Sequence, residues 1–178
     1  MAWAAGQPMP FAYSMYVQRP TPTAGAAIVA AGAGGSIQVF AQGATDFIID
    51  INGYFAAPTA GGMSLYNVTP CRVLDTRNPP GTPPVNGTIN VGVVSTPCGI
   101  PGAAQAYVFN VTALPSVGLG HLTLWPQGEP QPAPSTLNSW DGALGNNLAI
   151  ITATNGLISA YASDPAYLIF DIFGYFAP

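Results

Sequence analysis

The sequence predicts an all-β fold, and three observations lead there. Its 19 prolines and 21 glycines break the chain every few residues, too often for helices of ordinary length. The runs between them are rich in β-branched and aromatic residues, the composition of strands. No window keeps the three-to-four-residue apolar spacing of an amphipathic helix. The architecture expected is a β-sandwich or jelly-roll-like module preceded by a half-repeat of the same module.

The expected strands follow in chain order. AAIVAA at 26–31 and SIQVFAQ at 36–42 flank Gly34-Gly35, and DFIIDINGYF at 46–55 is a longer apolar run. CRVLDTR at 71–77 and INVGVVS at 89–95 enclose the proline-rich NPPGTPPVNG. QAYVFNVTAL at 105–114 and HLTLWP at 121–126 are separated by a Pro-Ser-Val-Gly turn region. LAIITAT at 148–154 and LISAYA at 157–162 flank Asn155-Gly156, a strong hairpin signal because both central residues of a type I′ turn need positive φ. YLIFDIFGYF at 167–176 closes the series.

The phrase DFIIDINGYFA thus returns as YLIFDIFGYFA, about 121 positions later. The match extends upstream. Trp3, Gly6, Pro8 and Pro10 fall on Trp125, Gly128, Pro130 and Pro132; after one residue of slippage Ser14 meets Ser135, Gly35 meets Gly156 and Asp50 meets Asp171. Residues 1–58 therefore read as an N-terminal half-repeat holding only the second half of the module, 59–63 as a linker, and 64–178 as a complete β-module. The first half of the unit, from Leu65 to about Leu124, has no earlier counterpart.

Composition narrows the function classes. Only 6% of residues are charged, lysine is absent, and Arg19, Arg72 and Arg77 are the only cations beside His121. Nucleic-acid binding is excluded, since counterion release needs clustered basic side chains. No apolar run approaches the roughly 20 residues that span a bilayer, so no membrane insertion is expected. A charge-poor surface suits a packed, extracellular or cell-surface protein better than a crowded cytosolic monomer. MAWAAGQPMP lacks the basic and apolar regions of a signal peptide, so either export information has been removed or Met1 is not where the precursor began.

Cys71 and Cys98 are the only cysteines, and with one histidine in the chain they cannot complete a zinc site. The readings left are a disulfide, which is favoured and implies an oxidising compartment, or two buried thiols. Along CRVLDTR, a strand period of two puts Cys71, Val73, Asp75 and Arg77 on one face and Arg72, Leu74 and Thr76 on the other. Arg72, Asp75 and Arg77 read as a structural ion pair that fixes a sheet edge or the loop that follows. A sugar or carboxylate site there is the alternative.

TPCRVLDTR, NVTAL, HLTLWPQGEPQPAPSTLN, LISAYAS and DIFGYF, in that succession, resemble a β-module of large secreted bacterial surface proteins, often in tandem near their ends. The resemblance covers 64–178, and its tail half covers 1–56. It implies an extracellular sandwich-like module without an established catalytic activity, and it carries no functional residues. In the first copy Ser14-Met15-Tyr16 stands where the unit has Ser135-Thr136-Leu137, and the VLDTR half is missing.

Catalysis lacks its parts. A Ser/His/Asp triad would have to use His121, whose position at a strand start after Gly118-Leu119-Gly120 reads as a solvent-facing turn residue. Glu129 lies in a proline-rich loop with no carboxylate partner evident for glycoside hydrolysis. Asp75, Asp141, Asp164, Asn146 and Asn147 are oxygen donors for calcium, but their spacing matches no calcium-loop pattern and Asp141-Gly142 reads as a turn. The N-x-T sequons at Asn67, Asn86 and Asn110 read as ordinary strand and turn threonines. No enzyme activity, cofactor or metal is expected.

A half-unit exposes an apolar face and strand edges it cannot cover alone. Trp3, Phe47, Ile49, Ile51, Phe55, Phe173 and Tyr175 form the candidate assembly surface. In the last strand, alternation groups Ile169, Asp171, Phe173 and Tyr175 opposite Leu168, Phe170, Ile172 and Phe176, so both faces are apolar, whereas the first copy has the more polar Asn52 where the second has Phe173. The function expected is a non-enzymatic structural subunit of an extracellular homopolymer, a filament assembled head to tail with copies of itself. The alternative is a secreted adhesion module that binds glycans through Trp3, Trp125, Trp140 or tyrosines.

Overall fold

The computed structural model describes residues 1–18, 20–57 and 59–178. Arg19, one of the three arginines, and Pro58, the boundary of the expected half-repeat, lie outside the described residues. The fold is all-β; the described residues contain nine strands and one 3-10 turn, at Ala33–Gly35. β1 (Ala2–Ala4) and β2 (Ile37–Val39) form a small two-stranded sheet. The remaining seven make one large antiparallel sheet: β3 (Ser64–Asp75), β4 (Val85–Gly92), β5 (Ala106–Pro115), β6 (Leu119–Pro126), β7 (Leu137–Ser139), β8 (Gly145–Thr152) and β9 (Leu157–Ala177).

β9 organises this sheet. Over its first part, 157–162, it is flanked by β4 and β6; over its second, 166–177, by β3 and β5. Both backbone edges are therefore paired along almost its whole length, and an apolar run is the sequence such a position accepts. The change of partners falls between Ala162 and Ala166, around Pro165. Proline has no N–H to give to a ladder, and here the ladders are interrupted in any case. β8 extends the sheet beyond β5, β7 extends it beyond β6, and β7 and β8 come back together, so the sheet nearly closes on itself. The Asn147 side-chain amide donates to the Thr136 carbonyl across that gap at 2.8 Å.

The core lies inside this curved sheet. Tyr107, Phe109 and Val111 from β5, Leu122 and Leu124 from β6, and Leu168, Phe170 and Ile172 from β9 are buried in one cluster. Phe109 packs against Phe170 with ring centroids 6.1 Å apart. Each large side chain fully withdrawn from water contributes about 1.5–3 kcal/mol. Among the described residues of 1–58, only Ala24 packs, partly buried, against this cluster.

Several strands differ from expectation. LISAYA and YLIFDIFGYF are one 21-residue strand rather than two. β3 starts at Ser64, seven residues before the CRVLDTR run, and β7 is an additional short strand. Neither 26–31 nor 46–55 is a strand, and of 36–42 only Ile37–Val39 pairs. A strand needs a neighbour for its backbone groups, and these stretches have none beyond β1. The strict face assignment in CRVLDTR is also corrected: register shifts flank Arg72, between Asn67 and Cys71 and again between Arg72 and Leu74. The resulting local twist brings Arg72 onto the same carboxylate as Arg77.

Cys71 on β3 and Cys98 in the segment after β4 form a disulfide, with Cα atoms 5.6 Å apart. It ties the edge strand β3 to the β4–β5 connection. Closing a 27-residue separation restricts the unfolded chain by about 3.5 kcal/mol in the chain-entropy model. The double variant Cys71→Ala/Cys98→Ala should keep the fold and lose about 3 kcal/mol in urea unfolding; a loss below about 0.5 kcal/mol would show that the crosslink does not constrain the unfolded chain.

Candidate functional site

A four-membered charged constellation is built where β3 crosses the second half of β9. Arg72 stands opposite Asp171 in the ladder. Its Nε donates to Asp171 Oδ1 at 2.8 Å and its Nη2 to Oδ2 at 3.1 Å, a two-pronged fit of guanidinium to carboxylate. Its Nη1 donates to Asp75 Oδ2 at 3.3 Å. Arg77 grips Asp75 from the other side, through Nε at 2.8 Å, Nη2 at 2.6 Å and its backbone N–H at 3.2 Å. Two cations and two carboxylates thus form one chain of charges along the sheet edge.

The Asp75 side chain is only 8% exposed, while both arginines are about half exposed. The hydrogen bonds from Arg77, opposed by burial and aided by the charges of both arginines, hold the Asp75 carboxyl at about 2. Hydrogen bonding to Asp171 raises the Arg72 guanidinium further above its ordinary value. With both arginines engaged by the two carboxylates, the network's evident work is to lock β3 onto β9. The neighbouring surface, lined by Pro70, Cys71, Arg72, Asp171 and Phe173, is a shallow open depression.

Sequence reasoning placed Arg72, Asp75 and Arg77 together but missed Asp171, the residue that links them to β9. An acidic residue inside an otherwise apolar strand was the available signal, because a half-buried carboxylate requires a partner.

A second polar cluster joins β6 to β9 at the change of partners. Asp164 Oδ2 accepts from the Gly120 N–H at 2.9 Å and from the Ser163 hydroxyl at 2.7 Å, and Ser163 Oγ accepts from the His121 N–H at 2.9 Å. These bonds, the Gly120 one foremost, lower the Asp164 pKa. The His121 ring lies against Tyr161, with centroids 5.4 Å apart, so the residue belongs to a strand surface rather than a free turn. Ser163 is bonded to the carboxylate and to backbone, not to the imidazole, and a nucleophile–base pair is not formed.

Among the described residues no three or more His, Cys, Asp or Glu side chains are gathered as metal ligands. The calcium donors considered from sequence are dispersed: Asp75 is held by arginines, Asp164 by Gly120 and Ser163, and Asn147 reaches Thr136. Asp141 accepts from the Ala143 N–H at 3.1 Å. The Tyr107 hydroxyl is buried without a hydrogen-bond partner among the described residues, and burial raises its pKa.

The candidate assembly residues fall on three stretches of the chain: β1, residues 46–56 and the end of β9. Phe47, Ile49, Ile51 and Phe55 lie on an extended, unpaired segment and are all more than half exposed, Ile51 at 84%. Phe55 approaches Phe176, with ring centroids 6.0 Å apart. Tyr175 stacks on Tyr66 of β3 at 5.2 Å, and Trp3 is half-buried in β1. Phe173 is 38% exposed at the register shift between β5 and β9, whereas Leu168, Phe170 and Ile172 on the opposite face are fully buried. Trp125 is buried, so it offers no platform to a glycan; Trp140 is 59% exposed, its indole N–H donating to the Gly120 carbonyl.

Two ladders share a pattern. In the small sheet Trp3 pairs with Gln38 and Ala4 with Ile37; in the large one Trp125 pairs with Ser159 and Pro126 with Ile158. The Trp3 indole donates to the Gln7 carbonyl at 3.0 Å, and the Trp125 indole to the Glu129 carbonyl at 2.8 Å. The Ala5 N–H reaches the Ser36 carbonyl as the Gln127 N–H reaches that of Leu157. Gly34 and Gly35 have positive φ, as do Asn155 and Gly156.

No family model, curated protein or solved structure matches the chain.

Asp75 gives the site a pH signature. Its folded carboxyl is held below the ordinary 3.8, so its contribution to stability is complete above about pH 4 and disappears as pH falls through about 2. Asp75→Asn should lower stability at pH 7 by about 1–2 kcal/mol and flatten the acid limb between about pH 4 and pH 2, measured by urea unfolding across that range. An acid limb unchanged in the variant would remove Asp75 from the account.

Proposed function

We propose that this chain is a non-enzymatic structural subunit of an extracellular or cell-surface homopolymer, joined head to tail through its N-terminal segment. The observation that carries the reading is the exposure of residues 46–56, an apolar strand sequence with no strand on either side of it. Residues 1–58 are read as a half-repeat of a sandwich-like module whose complete form is 64–178. The paired Trp3/Trp125 ladders and their matching indole bonds support that reading.

An exposed strand is a template for pairing, and two edges are available to receive it. Among the described residues β3 and β4 each pair only with β9, so each has a side without a ladder. A contact between the N-terminal segment of one copy and an edge of the next is heterologous, and such contacts propagate into filaments when they do not close into rings. Each copy holds one first half and two second halves, so the contact adds a strand or packs a face rather than exchanging equivalent strands. A charge-poor surface and a disulfide agree with packing outside the cell. No helix among the described residues is long and apolar enough to cross a membrane. Resemblance to tandem modules of secreted bacterial surface proteins points the same way.

The exposed face of Trp140 supports a second reading, a surface adhesion module that binds glycans.

Light scattering and negative-stain microscopy of residues 1–178 should reveal concentration-dependent assembly. The pair Ile49→Asp/Ile51→Asp should weaken that assembly by at least about tenfold while leaving the unfolding midpoint unchanged, because neither side chain belongs to the core. Monodisperse monomers at every concentration, together with glycan binding lost in Trp140→Ala, would favour the adhesion reading instead.

A further inference from the structure

We infer that residues 1–56 dock with a polypeptide segment having the chemistry of this chain's own residues 64–122, which presents strands of the β3 and β5 type to residues 46–56 and an arginine to Asp50. The inference rests on the half-repeat reading above and adds what the half-repeat recognises.

The same phrase occupies two environments within one molecule. At 166–177 it lies between β3 and β5, and each of its special residues answers to a neighbour. Asp171 takes the fork of Arg72. A Cβ at Gly174 would sit 2.8 Å from the Tyr66 carbonyl oxygen of β3, closer than a side chain tolerates, so the glycine admits the neighbouring backbone. Phe170 and Ile172 are fully buried.

In the earlier copy these features are present and idle. The Asp50 carboxylate has no hydrogen bond or ion pair among the described residues. Nothing lies within 4 Å of a Cβ built on Gly53, and its backbone is outside the positive-φ region that would itself call for glycine. Ile49 and Ile51, at the places of Phe170 and Ile172, are 63% and 84% exposed. A charge, a gap and an apolar face are thus set for strands that residues 1–178 supply only once.

Upstream of the phrase, the β1/β2 ladder already stands in the β6/β9 register, so the segment is preformed up to the point where the missing strands would join. The chain's own β3 and β5 cannot serve, because β9 fills the space between them. The partner is therefore a first-half whose closing strand is vacant, which no copy of residues 1–178 offers, and it competes with the edge contact between copies for the same segment. Its arginine would meet Asp50 as a charge-assisted fork in a half-buried setting.

The test adds a copy of residues 64–122 ahead of Met1 of the intact chain and follows backbone amide exchange at residues 47–55. Exchange should slow at least about 100-fold relative to the chain without the addition. In the fused protein Asp50→Asn should return about tenfold of that protection, and Gly53→Val should abolish it, while Gly53→Val leaves the unfused chain unchanged. Equal exchange with and without the added copy, or an added copy that stays open to protease while 64–178 is protected, overturns the proposal. The self-assembly reading fails separately: an unfused chain that stays monomeric contradicts the homopolymer, and a fused chain that assembles as the unfused one does contradicts this partner.

Discussion

The structure depends on a strand that is satisfied on both edges at once. β9 donates and accepts backbone hydrogen bonds to β4 and β6 along its first part and to β3 and β5 along its second, and its inward residues are the centre of the core. An apolar strand of this length is stable in water only if no edge and little face is left over, since each unpaired buried backbone group costs about as much as a lost hydrogen bond. The other six strands of the sheet are arranged so that this condition holds. Where one pair of partners gives way to the next, Pro165 occupies a place that needs no ladder donor.

Charge is used sparingly and where it fixes register. A one-residue slip of β3 on β9 would turn its inward residues outward, and the apolar pattern of β3 is too weak to forbid that alone, because most of its first half is exposed. The fork from Arg72 to Asp171 and the grip of Arg77 on Asp75 specify the pairing, and the disulfide from Cys71 holds the same edge. In a chain with so few ionisable groups, placing two of three arginines at this one edge marks it as the seam where the sheet would otherwise slide.

Much of the large sheet was legible in the sequence, because its strands are β-rich runs bounded by turn residues; the hairpin expected at Asn155-Gly156 is reduced to a tight turn with one Thr154–Leu157 bridge, since β8 pairs with β5 rather than β9. Other features were not legible. AAIVAA and DFIIDINGYF carry the same local signal as LAIITAT and YLIFDIFGYF, yet only the later pair are strands. Local pattern reports that a segment would suit a sheet; whether the sheet exists is decided by partners elsewhere. Asp171 was missed likewise: its partner sits 99 positions away, and only the register of β3 against β9 brings them together. The shifts flanking Arg72 have no sequence signature at all, and they undid the simple division of CRVLDTR into two faces.

Partners, not local sequence alone, make this phrase a strand. Matched alanine substitutions test that most directly: Ile172→Ala and its counterpart Ile51→Ala, each measured by urea unfolding of dilute monomeric chain. Ile172 is fully buried between β3 and β5 and should lose about 2–4 kcal/mol, whereas the exposed Ile51 should change stability by less than about 0.5 kcal/mol. Equal losses at the two positions would contradict the account, because residues 46–56 would then be as firmly seated as β9.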